Sequence, residues 1–216
     1  MFMQDATRFA ADATILTART LTAPVRTGLV AGTLVETATG WRAVETLRPG
    51  DAVLTLEGGY QRLAGLRSFR FPRAEPPPAA WPLIVPRGAL DCREPILLMP
   101  DQQVLIECDQ ADQLFGDAMA LIPALALEGL RGIKRIRPRA SAEAVALSFA
   151  LPQMVYASRA VLLACPAHPG GVARGNPVRP RRPALNGRAL SHERSFHLVA
   201  CLMAEDLGAA VRAFRI

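Results

Sequence analysis

Between Leu29 and Leu66 short apolar-polar runs alternate with turn residues at Gly40, Pro49-Gly50 and Gly58-Gly59. Leu29-Val30, Leu34-Val35 and Ala52-Val-Leu-Thr-Leu56 carry the β-branched and aliphatic residues of half-buried strands. Pro49 pre-sets φ and Gly50 supplies φ > 0, so Arg48-Pro49-Gly50-Asp51 predicts a turn, with Asp51 bonding backbone N–H groups. Phe69 to Pro82 contains Pro72, Pro76, Pro77 and Pro78 and predicts a surface loop, because proline cannot donate to a ladder. A strand is expected at Trp81–Val85, followed by a turn at Arg87-Gly88.

Ile96 to Glu107 predicts two strands around a Pro100-Asp101 turn. A short polar segment, 109–117, leads to Ala120–Glu128, which is apolar enough to be buried and could form a helical turn. Residues 131–140 predict a basic edge or loop. Val145–Phe149 and Met154–Ala157 predict a hairpin around Pro152, with Ala160–Cys165 as a last strand. After Ser195 the period changes: Phe196, Val199, Leu202, Met203, Leu207, Val211 and Phe214 fall at helical spacing, with Ser191 or Ser195 as the cap. That stripe is expected to pack on a core. Residues 1–27 are Ala/Thr-rich with poor periodicity, a loose arm or short helix.

The block Gly28-Leu-Val-Ala-Gly-Thr33, continuing through Leu47-Arg-Pro-Gly-Asp-Ala-Val-Leu-Thr55, resembles the opening of the Hint domain of hedgehog proteins and inteins, in its bacterial Hint-like group. The resemblance implies a mostly-β, single all-β domain over residues 26–166. Outside it lie an N-terminal arm (1–25), a basic Pro/Gly/Arg linker (167–190) and a C-terminal helical segment (191–216). In the family a Cys or Ser four positions before the Gly-Thr pair attacks the preceding carbonyl; that position is Gly28. A second block usually places a His after a Ser or Thr to protonate the departing amine, a role suited to imidazole. Here Met99-Pro-Asp-Gln-Gln-Val-Leu105 puts Gln102 at the His and Met99 at the Ser/Thr. A third His of the bacterial group would align with Gln153. Glutamine can hold a hydrogen bond but cannot exchange a proton near neutrality. Gly28, Thr33, Gln102 and Gln153 are therefore the candidate vestigial site, with no residue assigned a catalytic role. Thr33 and Asp51 have structural readings as well. Asn186-Gly187 is more simply a turn dipeptide than the end of a splicing element.

Net charge is +6, and Arg174, Arg179, Arg181, Arg182 and Arg188, with no acid between 166 and 190, contribute most of it. Weak, non-specific nucleic-acid binding through that stretch is conceivable. Aromatic residues for base stacking are absent beside the arginines, which argues against a dedicated single-strand binder. Cys92, Cys108, Cys165 and Cys201 form no Cys-x-x-Cys pair and are expected as free, mostly buried thiols. Cys165 and His168 have metal-like spacing but lack the further ligands a closed zinc site needs, so neither metal nor cofactor is expected. No apolar run reaches membrane length and no secretory leader is visible, which gives a cytoplasmic expectation without membrane attachment.

Three functions remain open at this stage. The first is a degenerate Hint-like module kept for binding or structure, without enzymatic activity and with an unidentified partner. The second is an autoprocessing protein with a displaced nucleophile, and the third is an acidic-partner or nucleic-acid binder.

Overall fold

The computed structural model describes residues 26–71, 77–139, 142–169 and 189–213. The arm 1–25, Phe214 and most of the arginine-rich stretch lie outside the described residues. Fourteen short strands form two sheets among the described residues. The strands are β1 (Leu29–Val30), β2 (Leu34–Thr37), β3 (Gly40–Ala43), β4 (Ala52–Thr55), β5 (Gly59–Arg62), β6 (Gly65–Arg70) and β7 (Leu83–Val85). They continue with β8 (Ile96–Leu98), β9 (Gln103–Glu107), β10 (Met119–Pro123), β11 (Lys134–Arg135), β12 (Glu143–Ser148), β13 (Gln153–Ala157) and β14 (Val161–Cys165). The first sheet runs β11-β7-β8-β1-β12-β6; the second runs β10-β9-β14-β13-β2-β4-β5, with β3 paired to β2.

Period-two alternation places the core. On β2 Val35 and Thr37 are buried, on β4 Val53 and Thr55, and their alternate neighbours are half-exposed. Leu29, Leu98, Val145 and Leu147 from one sheet meet Val35, Val104, Val155 and Leu163 from the other in a single cluster. Truncating a fully buried member such as Leu163 to alanine costs about 2–5 kcal/mol. Two satellite clusters cover the outer faces, Val30, Phe71, Met99 and Ala144 on one sheet and Leu105, Leu121 and Met154 on the other. Strands buried on both faces read as continuous apolar runs, which is the pattern of β9 and β10.

The Pro49-Gly50 turn forms as expected: Gly50 has φ 94°, and Asp51 Oδ2 accepts the Arg48 N–H at 2.9 Å. Other segments differ. β12 and β13 are not a hairpin; β12 pairs with β6 and β1, whereas β13 pairs with β14. The chain passes from one sheet to the other between Phe149 and Pro152, because Phe149 bonds outward, to Pro166 O and to the His168 N–H. Phe69 and Arg70 belong to a strand, held by Ala144 and Glu143, and not to the expected surface loop, of which residues 72–76 lie outside the described residues. Asp109–Phe115 is a helix, α1, with acids in its first turn and Gly116 closing onto Asp112 O at 2.7 Å. Met119–Pro123 is a strand and only Ala124–Leu127 makes a helical turn.

The C-terminal helix α2 spans His192–Ala213. Ser191 Oγ accepts the Arg194 N–H at 3.3 Å, which is the capping geometry, while Ser195 is buried and donates to Ser191 O. Its apolar stripe splits. Leu198, Val199 and Leu202 join the core, whereas Phe196, Met203, Leu207 and Val211 are exposed. No helix among the described residues is long and apolar enough to cross a membrane. The segment between domain and helix is tied down at both ends: Ala167 bridges Phe149, and Ala189 bridges Leu121.

Candidate functional site

The chain enters the fold at Arg26, whose guanidinium forms two hydrogen bonds with the Asp101 carboxylate, Nη2 to Oδ1 at 2.8 Å. Asp101 N–H donates to Arg26 O at 2.8 Å, so main chain and side chain both fasten residue 26 to the Pro100-Asp101 turn. The Arg26 pKa is raised, chiefly by its hydrogen bonds to Asp101. Two residues on, the Gly28 N–H donates to Gln102 Oε1 at 3.1 Å in a buried setting. Gln102 is 4 % exposed, and its Nε2 donates to Ala164 O at 2.9 Å and Gln103 O at 3.2 Å. A single side-chain amide thus joins the residue just before β1, the start of β9 and β14.

Gly28 itself has φ 111°, a conformation that L side chains rarely adopt. A Cβ built there would lie 3.1 Å from Val145 O and 3.3 Å from the Val145 carbonyl carbon. A side chain at this position would be strained in torsion and would press on the main chain of β12.

Gly28 and Gln102 line a cavity of about 510 Å³, together with Thr27, Leu147, Pro152 and Cys165. Its walls are mostly aliphatic. Cys165 is its one thiol, and burial pushes the pKa up to about 12, which keeps it protonated. Gln153 does not line the cavity; its neighbour Pro152 does. Gln153 pairs with Cys165 in the β13–β14 ladder, and its Oε1 is buried with no partner among the described residues. Thr33 is also off the cavity, buried in the turn after β1, where its carbonyl accepts the Val44 N–H at 2.9 Å. The structure thus brings together Gly28 and Gln102 and leaves Thr33 and Gln153 to either side.

His168 does not face Cys165 as a metal pair. Its Nδ1 is 3.0 Å from Ser148 Oγ, and its ring lies over Gly65, where a Cβ would come within 2.5 Å of Nδ1. Among the described residues no group of three or more His, Cys, Asp or Glu could hold a metal ion. All four cysteines are free; Cys92 and Cys165 are buried, Cys108 and Cys201 half-buried. A second cavity, about 570 Å³, is walled by Glu107, Asp109, Arg131 and Glu205 and touches none of the aligned positions.

Sequence reasoning missed the Arg26–Asp101 pair. The signal was present: opposite charges stand two residues before Gly28 and one before Gln102, so bringing those positions together forces the charges to meet.

The family model of the Hint domain matches residues 27–162. The chain belongs to the Hint domain family. No curated protein matches it. Among solved structures, the bacterial intein-like domain from Clostridium thermocellum is 16% identical, with 64% of this chain and 99% of that one covered and a TM-score of 0.46. The gp41-1 intein is 13% identical, with 63% and 96% covered and a TM-score of 0.39. The Hint match begins one residue before Gly28 and includes Gln102 and Gln153, and it stops short of α2.

Proposed function

We propose that this Hint domain is catalytically degenerate: it does not cleave itself and persists as a binding or structural module. The observation that carries this reading is the Gly28–Gln102 hydrogen bond in a backbone conformation reserved for glycine. An autoprocessing Hint domain needs a nucleophile at one of these positions and a proton donor at the other. Glycine has no attacking atom, so the covalent route is lost at this position. The Gln102 amide is already spent on the Gly28 N–H and on two carbonyls, and it carries no proton to give near neutral pH.

A displaced nucleophile is the competing reading. Cys165 shares a cavity wall with the Gly28–Gln102 pair, and burial holds it in the unreactive thiol form. Cys92 is buried too, and its pKa is pushed up to about 11, first by burial and then by the charge of Asp91. Neither supplies a thiolate near pH 7. What the module would bind is set by the cavity: aliphatic walls and a saturated amide favour an uncharged, apolar group over an ion. Incubation with a thiol or hydroxylamine, either of which would intercept an ester at residue 28, tests the reading. The chain should stay whole, and release of a fragment beginning at Gly28 would refute it.

A further inference from the structure

The second cavity, about 570 Å³, has the size of a small-ligand site and shares no lining residue with the cavity at Gly28 and Gln102. It opens where the second sheet parts. β9 pairs with β10 along all five of its residues, but with β14 only at Val104 and Leu105. Ile106, Glu107, Ala160 and Val161, beyond the last pair, line the opening. Leu202 and Glu205 of α2 complete the wall, from a segment beyond the Hint match.

Floor and rim differ in kind. Ile106, Leu130, Val161 and Leu202 are buried and give the cavity an apolar floor, whereas Asp91, Glu107, Asp109 and Glu205 are exposed carboxylates. One cation, Arg131, shares the wall, and its guanidinium already holds the Asp206 carboxylate through hydrogen bonds of 2.8 and 2.9 Å. The charges of Asp91 and Glu205 act on it as well. An excess of carboxylate remains, on a chain whose net charge is +6. Glu205 is central to that excess: its charge reaches both Arg131 and Cys108, and its carboxylate accepts a hydrogen bond from Gln110 Nε2. Leu90, Asp91 and Arg131 hold their places in the wall at positive φ, three of the five non-glycine residues that do so among the described residues. Such outliers persist where the surroundings over-determine them, and they collect at ligand clamps.

An apolar floor under an acidic rim complements an organic cation with an aliphatic body, which keeps its charge near water and lays its stem on the floor. An anion would meet the carboxylates, and among the described residues the acids form no group able to hold a metal ion. We propose that this cavity binds a primary ammonium carried on an aliphatic chain, the chain lying on Leu130, Val161 and Leu202 and the charge held by Glu205 and Asp91. The site stands whether or not the chain cleaves itself at Gly28, because the two cavities have separate walls.

NMR titration of the full-length chain with hexylammonium, hexanol and hexanoate, probes of one chain length and three charges, tests the proposal. Hexylammonium should shift the amides of Glu107, Val161 and Glu205, hexanol should do so more weakly and hexanoate not at all. Added salt should weaken the binding, since the carboxylates are exposed. Glu205→Gln keeps an oxygen for Gln110, and Asp91→Asn tolerates the left-handed backbone. The double variant should therefore keep its fold and bind hexylammonium at least about fivefold more weakly. Nα-acetyl-lysine methylamide, titrated alongside, separates the two sources of such an ammonium. Binding equal to that of hexylammonium supports the proposal with a lysine side chain as ligand, and weaker binding supports it with a free amine. Absence of hexylammonium binding, equal binding of hexanol or hexanoate, unchanged affinity in the double variant, or shifts confined to Thr27 and Ala146 at the first cavity would overturn it.

Discussion

The backbone N–H of Gly28 donates to Oε1 of Gln102 at 3.1 Å across a sequence separation of 74. The contact ties the point where the chain enters the domain to the turn ahead of β9, and Gln102 Nε2 extends it to Ala164 O on β14. Replacing Gln102 by alanine strands a buried donor on one side and an acceptor on the other, and each such orphan costs about 1–3 kcal/mol. Gln102→Ala is therefore expected to lower stability by at least about 2 kcal/mol in urea denaturation. A loss no larger than that of an exposed control such as Gln113→Ala would show that the amide clamp is incidental.

Gly28 and Gly32 separate torsion from space. Both have positive φ, 111° and 89°, but a Cβ at Gly32 meets nothing within 4 Å, whereas one at Gly28 meets Val145 O. Gly32→Ala should cost only the torsional strain, about 1–3 kcal/mol. Gly28→Ala should cost visibly more, because the main chain of β12 cannot give way as a flexible side chain would. Equal melting temperatures for the two variants would contradict the packing of β1 against β12.

His168 and Gly65 make a second close approach, with Ser148 Oγ also 2.9 Å from a Cβ built at Gly65. Gly65→Ala must push the imidazole off Ser148, an overpacking cost of about 1–3 kcal/mol. In a His168→Ala background most of that cost should vanish, so the double-mutant cycle should give a clear coupling energy. Additive losses would place His168 elsewhere in solution.

An ion pair between Arg131 and Asp206 fastens α2 to the domain. Hydrogen bonds from the Arg131 guanidinium, and then its charge, hold Asp206 below its ordinary carboxylate pKa. A depressed folded-state pKa stabilises the fold above the unfolded value, near pH 4. That stabilisation disappears as pH falls through the folded value. The side chains are 46% and 37% exposed, so screening limits the contribution to about 0.2–1 kcal/mol. Asp206→Asn should leave stability unchanged once pH has fallen below the folded-state pKa of Asp206 and lower it slightly at pH 7; a loss confined to low pH would have the wrong sign.

Much of the fold was legible because its signals are local. The Pro49-Gly50 turn, the strands around Pro100 and the capped C-terminal helix each follow from the residues within them. The site was legible at Gly28 and Gln102, where family spacing fixes register on both sides. It was not legible at Gln153, since placing a residue on the cavity wall depends on where β13 crosses to the second sheet. That crossing is set by Phe149 bonding Pro166 and His168, long-range partners that no local pattern announces. The false hairpin at Val145–Ala157 has the same origin. α1 escaped because its seven residues show no full helical period, and the split of the α2 stripe depends on how the helix is rotated against the domain.

Loss of self-cleavage is tested most directly by whether the chain breaks at Gly28. Purified full-length protein, incubated for days at neutral pH with a thiol or hydroxylamine, should give one intact mass, that of all 216 residues. Gly28→Cys/Gln102→His, treated alongside, should also stay whole, because a side chain at residue 28 would be strained in torsion and pressed against Val145 O, out of the geometry for attack. A wild-type fragment whose N-terminus is Gly28 would contradict the account.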